Sequence, residues 1–173
     1  RVGIAIAVAC EPPIIIADEP TTSLDVTVQA QILDLLSEVR DDTGAGIILI
    51  THDLGVVAEI ADRVAVMYAG QIVETADVVD LFTDPKHPYT RSLLRSMPQA
   101  NGTLESDSGD LYVIQGDVPS LQQLPKHGCR FAERIPWIPF SAHEPSPKMH
   151  EVSKGHFVRC ACHESFRFEG ESE

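Results

Sequence analysis

Asp18 and Glu19 stand side by side at the end of an apolar run, Ile14-Ile15-Ile16-Ala17. A second apolar run, Ile47-Ile48-Leu49-Ile50-Thr51, ends in His52-Asp53. Two carboxylates and an imidazole presented this way have a definite chemistry. One carboxylate can hold Mg²⁺, directly or through water. The other can polarise an attacking water. A neutral imidazole donates one hydrogen bond and accepts another, which suits it to fix a water beside an anion. Taken separately, each group has a plainer reading: two solvated acids at a strand end, and a histidine capping the helix that starts near Asp53.

The elements that must position these groups follow from patterning. Ile14–Ala17 reads as a strand buried on both faces, the kind found in parallel sheets. Ligands of such sheets bind beyond the carboxyl ends of the strands, where Asp18 and Glu19 fall. Roughly thirty residues separate the acids from His52, which suits one crossover helix between neighbouring parallel strands. Val28, Ile32, Leu35, Leu36 and Val39 recur at helical spacing and predict a helix packing one face on the sheet. Asp25 is its expected cap, with Ser23 as a second candidate, and Asp41-Asp42-Thr43-Gly44 ends it. Leu54, Val57, Ala58 and Ala61 mark a short helix. Val64–Tyr68 and Gln71–Glu74 flank Ala69-Gly70 and predict a hairpin with a two-residue turn, Gly70 supplying positive φ. Asp77 is expected to cap a helix through Val78, Val79, Leu81 and Phe82.

The 173 residues carry 13 Lys plus Arg against 26 Asp plus Glu, a formal charge of −13. Such acidity argues against binding a nucleic-acid backbone. No apolar run reaches the length of a membrane span, and Arg1 to Ala9 is too short for a signal peptide. Four cysteines, Cys10, Cys129, Cys160 and Cys162, do not make the dense pattern of a secreted disulfide scaffold, so a cytoplasmic protein is expected. Composition shifts near Met97. Residues 98–110 read as a linker, Tyr112-Val113-Ile114 as a strand, and Ser165 to Glu173 as a disordered tail.

The ordered set Asp18-Glu19-Pro20-Thr21-Thr22-Ser23-Leu24-Asp25 and Ile50-Thr51-His52-Asp53 resembles the ATP-binding cassette (ABC) ATPases, matching their Walker B, D-loop and switch-histidine segments. The resemblance implies an α/β fold: a partial P-loop NTPase parallel-sheet core over residues 1–83, then a small Pro- and Cys-containing extension over 84–164 and the tail over 165–173. It also implies that Val2 to Cys10 is the end of a helix. In that family Glu19 would be the catalytic carboxylate that orients or activates water for attack on the γ-phosphate of ATP. Asp18 would take part in Mg²⁺ coordination, commonly through water, and His52 would contact the γ-phosphate. Ser23 and Asp25 match the D-loop, which crosses the dimer interface and couples two ATP sites; both are also ordinary helix caps.

His87-Pro88-Tyr89-Thr90-Arg91-Ser92-Leu93-Leu94-Arg95-Ser96-Met97-Pro98 narrows the resemblance to the ATPases that energise oligopeptide, dipeptide and nickel importers. Gly128-Cys129-Arg130-Phe131 and Gly155-His156-Phe157-Val158-Arg159-Cys160 resemble the same group. No catalysis falls to His87: Pro88 starts a helix and Tyr89 packs. The implied partners are two integral-membrane permease subunits, a second ATPase subunit, identical or homologous, and indirectly an external solute-binding protein. The implied place is the cytoplasmic face of the membrane. No G-x-x-x-x-G-K-[ST] loop and no L-S-G-G-Q signature occur in these 173 residues. The expectation is therefore a C-terminal portion of a subunit, with negligible ATPase activity by itself and with apolar strands Ile14–Ala17 and Ile47–Thr51 left uncovered and prone to association.

Some members of that group carry four cysteines that hold an iron–sulfur cluster. Cys129 and Cys160 match two of those positions, but Ile135 stands at the third and Ala142 or its neighbour at the fourth. Such clusters normally need four thiolates, which argues against one here. Zinc held by Cys129, Cys160 and Cys162 with His143 or His163 is allowed by ligand type, although Cys160-Ala161-Cys162 lacks the usual two-residue spacing. Reduced thiols packed in a small appendage, with or without an adventitious disulfide, are the remaining reading.

Overall fold

The structure is a computed structural model that describes residues 2–97, 113–114, 116–120 and 122–169. The linker reading over 98–110, Tyr112 and the tail residues 170–173 lie outside the described residues. Two compact units divide the chain, residues 1–61 and 62–173. The hairpin falls in the second unit because it shares its sheet with the chain's later strands.

In the first unit, helix α1 (Val2–Val8) precedes strand β1 (Ile14–Asp18), helix α2 (Val26–Thr43), strand β2 (Gly46–Ile50) and helix α3 (Leu54–Ile60). β1 and β2 pair in parallel, with Ile16 opposite Ile48 and Asp18 opposite Ile50. The crossover is α2, as its periodicity predicts. It starts on Asp25, whose carboxylate accepts the Val28 N–H at 3.0 Å, and Ser23 is not its cap. It stops at Gly44, whose φ of 69° lets its N–H reach back to the Arg40 carbonyl.

Ile15 and Ala17 share the buried face of β1, where Ala17, Ile32 and Leu36 form a small core with Ile4, Val28, Ile47 and Leu49 against it. Burial on both faces is not seen here, and apolar strand surface is left uncovered. Burial alternates along β1, and Ile14, Ile16, Ile48 and Ile50 remain 57%, 66%, 51% and 48% exposed. The strand is covered on one face only, since α2 packs on one side and no described residue covers the other. Among the described residues no helix is long and apolar enough to cross a membrane.

In the second unit, strands β3 (Arg63–Tyr68) and β4 (Gln71–Asp77) form the predicted hairpin. Ala69 and Gly70 both have positive φ, 46° and 78°, the geometry of a turn that follows the strands' twist. Helices α4 (Val78–Thr83) and α5 (Pro88–Arg95) follow, then strands β5 (Met149–Ser153) and β6 (His156–Arg159) in a sheet ordered β3-β4-β6-β5. Asp77 does sit at the start of α4, but its side chain makes no capping bond; it takes the Arg63 guanidinium at 3.0 Å across the hairpin. Val113 and Ile114 are irregular chain rather than strand, and the Ile114 carbonyl accepts from Arg134. The frayed tail is likewise overturned for residues 165–169. Phe166 is fully buried, Arg91 stacks over its ring and donates to its carbonyl at 3.1 Å, and the Trp137 indole donates to the Arg167 carbonyl at 2.8 Å.

The His-Pro-Tyr segment builds the centre of this unit. His87 caps α5 by accepting the Tyr89 N–H on Nδ1 at 3.1 Å. Tyr89 packs on Tyr68 and Phe131. Burial depresses the His87 imidazole from 6.5 to about 3, so it stays neutral in the folded protein. The sign of the linkage follows. The unfolded chain takes up a proton as pH falls through 6.5 and the folded chain does not until about 3. This contribution to stability is therefore lost on acidification, at up to about 1.4 kcal/mol per pH unit across that window. Asparagine caps helices without titrating. Urea unfolding of His87→Asn between pH 7 and 4 should thus show a shallower decline than the parent, and parallel declines would refute the assignment.

Candidate functional site

The site is assembled where β1 and β2 end. Asp18 is the last residue of β1 and lies on the open face with Ile16, Ile48 and Ile50, its side chain exposed. The Glu19 N–H extends the ladder by one bond to the Ile50 carbonyl at 2.8 Å. Glu19 then takes φ of 44°, a left-handed conformation that a non-glycine residue adopts at a cost. Turns closed by Thr22 N–H to the Glu19 carbonyl and Leu24 N–H to the Thr21 carbonyl carry the chain to α2, with Ser23 also left-handed at φ 64°. The five residues Pro20–Leu24 are thus spent on turns between Glu19 and the cap of α2.

His52 meets it there. Its Nδ1 lies 3.0 Å from Glu19 Oε1, and the Thr22 hydroxyl donates to Glu19 Oε2 at 2.6 Å. The Thr22 hydroxyl, and after it His52, hold the Glu19 carboxyl below its ordinary range, so the side chain is ionised at neutral pH. Both groups face solvent: the His52 side chain is 81% exposed and that of Glu19 43%. His52 does not cap α3. Asp53 does, accepting from the Gly55 and Val56 N–H groups at 2.9 and 3.3 Å. Gln29 on α2 donates to the other Asp53 oxygen at 3.3 Å and ties the crossover helix to the turn that carries His52. Asp25 is engaged in capping α2 and Ser23 is exposed.

Among the sequence candidates, Glu19 and His52 are therefore in direct contact, and Asp18 is the neighbour of Glu19 at the same sheet end. Thr22 and Gln29 were not anticipated. Thr22 has a signal in hindsight: a hydroxyl three residues beyond an acid in a tight turn can reach back to it.

A sequence profile described as "Oligopeptide/dipeptide transporter, C-terminal region" matches residues 73–136. The oligopeptide transport ATP-binding protein OppD of Lactococcus lactis subsp. cremoris (strain SK11) is 59% identical over 169 residues, covering 97% of this chain and 49% of the relative. OppD of L. lactis subsp. lactis (strain IL1403) matches equally. The chain belongs to the oligopeptide/dipeptide ABC-transporter ATP-binding family. A more distant relative, the oligopeptide transport ATP-binding protein AppD of Bacillus subtilis (strain 168), is 49% identical over 164 residues, covering 95% of this chain and 48% of its own. The chain spans about half the length of the curated relatives it matches.

A second group of ligand-type side chains comes together in residues 62–173. The ligand atoms of Cys129, His143, Cys160 and Cys162 all lie within 4.8 Å of one another, and all four residues are buried. None of the cysteines is in a disulfide. Hydrogen bonds from Cys129 and Cys162 hold the Cys160 thiol well below its usual range, while Cys160 pushes Cys129 up to about 11. An iron–sulfur cluster does not fit these residues. Ile135 is 1% exposed and packed in the hydrophobic core, and Ala142 packs against the same core, so neither position supplies a ligand.

Proposed function

We propose that the protein is the ATP-hydrolysing part of an importer that energises uptake of oligopeptides or dipeptides. The single observation that carries this reading is the 3.0 Å contact between Glu19 and His52 at the carboxyl ends of two parallel strands. Its relatives are named as oligopeptide transport ATP-binding proteins, which favours peptides over nickel as cargo. On this reading residues 1–61 are the later part of a P-loop NTPase core, completed by a phosphate-binding loop and a signature segment outside these 173 residues. The chain alone would then hydrolyse ATP negligibly. It would act as a peripheral subunit on the cytoplasmic face, paired with a second ATPase subunit, through Ser23 and Asp25 at the interface, and docked on two integral-membrane permeases.

MgATP supplies the γ-phosphoryl group and the charge neutralisation its transfer requires. Asp18 fits the metal by donor type: it is an exposed, hard oxygen ligand at the ligand-binding end of the sheet. Glu19, ionised and fixed by Thr22, presents an acceptor to water. Its lowered basicity suits it to orient that water rather than to take the proton early. His52 positions both the acid and the water.

The test is uptake by the complete gene product assembled with its permeases in vesicles. ATP-dependent accumulation of a labelled oligopeptide is expected. Accumulation of nickel instead would replace the cargo, and no ATP-dependent uptake of either would end the reading.

A further inference from the structure

We propose that Cys129, His143, Cys160 and Cys162 form a structural zinc site, one tetrahedral ion held by three thiolates and one imidazole. It lies wholly within residues 62–173 and does not depend on the nucleotide reading.

Four soft or borderline ligands are brought from three separate places in the chain. Cys129 precedes a 3₁₀ turn (Ala132–Arg134), His143 follows another (Phe140–Ala142), and Cys160 and Cys162 follow the end of β6. Their ligand atoms fall within 4.8 Å of each other. Zinc–sulfur bonds of about 2.3 Å and zinc–nitrogen bonds of about 2.0 Å set the edges of a tetrahedron at about 3.5–3.8 Å, so loading needs a contraction of at most about 1.3 Å from the 4.8 Å limit. A cluster of several irons is wider than this group, and it would need ligands where Ile135 and Ala142 stand.

A second, independent observation is His143 itself. It is 8% exposed, and its Nδ1 is buried with no hydrogen-bond partner among the described residues. A buried polar nitrogen left unsatisfied is costly and calls for an explanation. A disulfide would consume two sulfurs and leave the imidazole at best the weak S–H donor of the third thiol. Zinc engages all four.

The structure also decides between the two histidines that ligand type allows. His163 turns its Nδ1 to the Cys160 carbonyl at 3.0 Å and stays outside the group, whereas His143 lies within it. The Glu144 N–H, next in the chain, donates to Cys160 Sγ at 3.4 Å, the kind of outer contact that orients a thiolate ligand. The Cys-Ala-Cys spacing is accommodated by Cys160, which takes φ of 75°; this turn lets sulfurs two residues apart face one point. Bound zinc would staple the two 3₁₀ turns to the end of the β5–β6 hairpin. Metal binding of this type contributes directly to folding.

The experiment is metal analysis of the full chain purified without chelators or oxygen. About one zinc per chain is expected, released when the thiols are blocked by a mercurial. Cobalt substitution should give the intense visible absorption of a tetrahedral ion together with thiolate charge transfer. His143→Ala should weaken zinc retention by more than about tenfold, since even outer-shell losses cost that much. His143→Cys should retain the metal and raise the cobalt–thiolate charge transfer by about a third, three thiolates becoming four. The pair keeps the test decisive if the alanine variant fails to fold. Metal-free protein with freely titrating thiols, a disulfide, or iron with acid-labile sulfide would each overturn the proposal. So would charge transfer unchanged in His143→Cys.

Discussion

Glu19→Gln in the complete ATP-binding subunit should lower the hydrolysis rate about 10²–10⁴-fold, the range associated with losing a positioned general base, while the apparent affinity for nucleotide changes little. The structure makes this a clean substitution. Glu19 is exposed and its carboxylate is not part of any core. Glutamine keeps an oxygen that can accept from the Thr22 hydroxyl and still spans to His52. What disappears is the negative charge that the Thr22 and His52 contacts hold in place. A loss confined to turnover is the signature of an interaction made with the reacting water rather than with bound nucleotide. Steady-state hydrolysis and equilibrium nucleotide binding, measured on the same preparation, separate the two. A rate within tenfold of the parent would show that the 3.0 Å contact is an ordinary surface ion pair.

The elements around Glu19 were legible because each rests on a local rule. Apolar runs ending in polar groups mark β1 and β2, the 3.6-residue recurrence from Val28 to Val39 marks α2, and Asp25 is a good cap by residue type. What misled was the assumption that Ile14–Ala17 is apolar because both faces are buried. Residue type reports what a strand can bury, and among the described residues only one face of it is covered. Leu33 is buried on α2 although the repeat omits it. Long-range pairing was the harder loss. β5 and β6 are short, with only Met149, Val152, Phe157 and Val158 apolar around Lys154-Gly155, and β6 is recruited by β4 across more than eighty residues. Asp77 looked like a cap because nothing local reveals that Arg63 faces it across the hairpin. The cysteine–histidine group was visible as ligand types, but only the fold could choose His143 over His163.

The same distinction between local pattern and long-range closure governs the second large effect, at Glu74. Nothing in Gln71–Glu74 marks this residue as other than a solvent-facing strand acid, yet it is fully buried. Its Oε1 accepts from the Lys86 N–H at 2.7 Å and from His156 Nε2 at 2.7 Å, and its Oε2 accepts from the His87 N–H at 2.8 Å. Every contact is a donor to it, so Glu74 is an acceptor-only junction joining β4, the turn before α5, and β6. Glu74→Ala would leave two backbone N–H groups and a buried imidazole without their partner, and would open a void beside them. Removing one member of a buried pair of this kind costs about 3–5 kcal/mol, a large share of the 5–15 kcal/mol typical of a folded domain. Glu74→Gln should fall between, because its amide NH₂ must face one of the three donors while its oxygen still serves another. Chemical denaturation should therefore rank the parent above Glu74→Gln and Glu74→Ala last. A cycle combining Glu74→Ala with His156→Ala should show strong coupling, since the second change removes a group the first has stranded. Additive losses would mean that His156 is satisfied elsewhere once Glu74 is gone, and the junction would then be three separate hydrogen bonds.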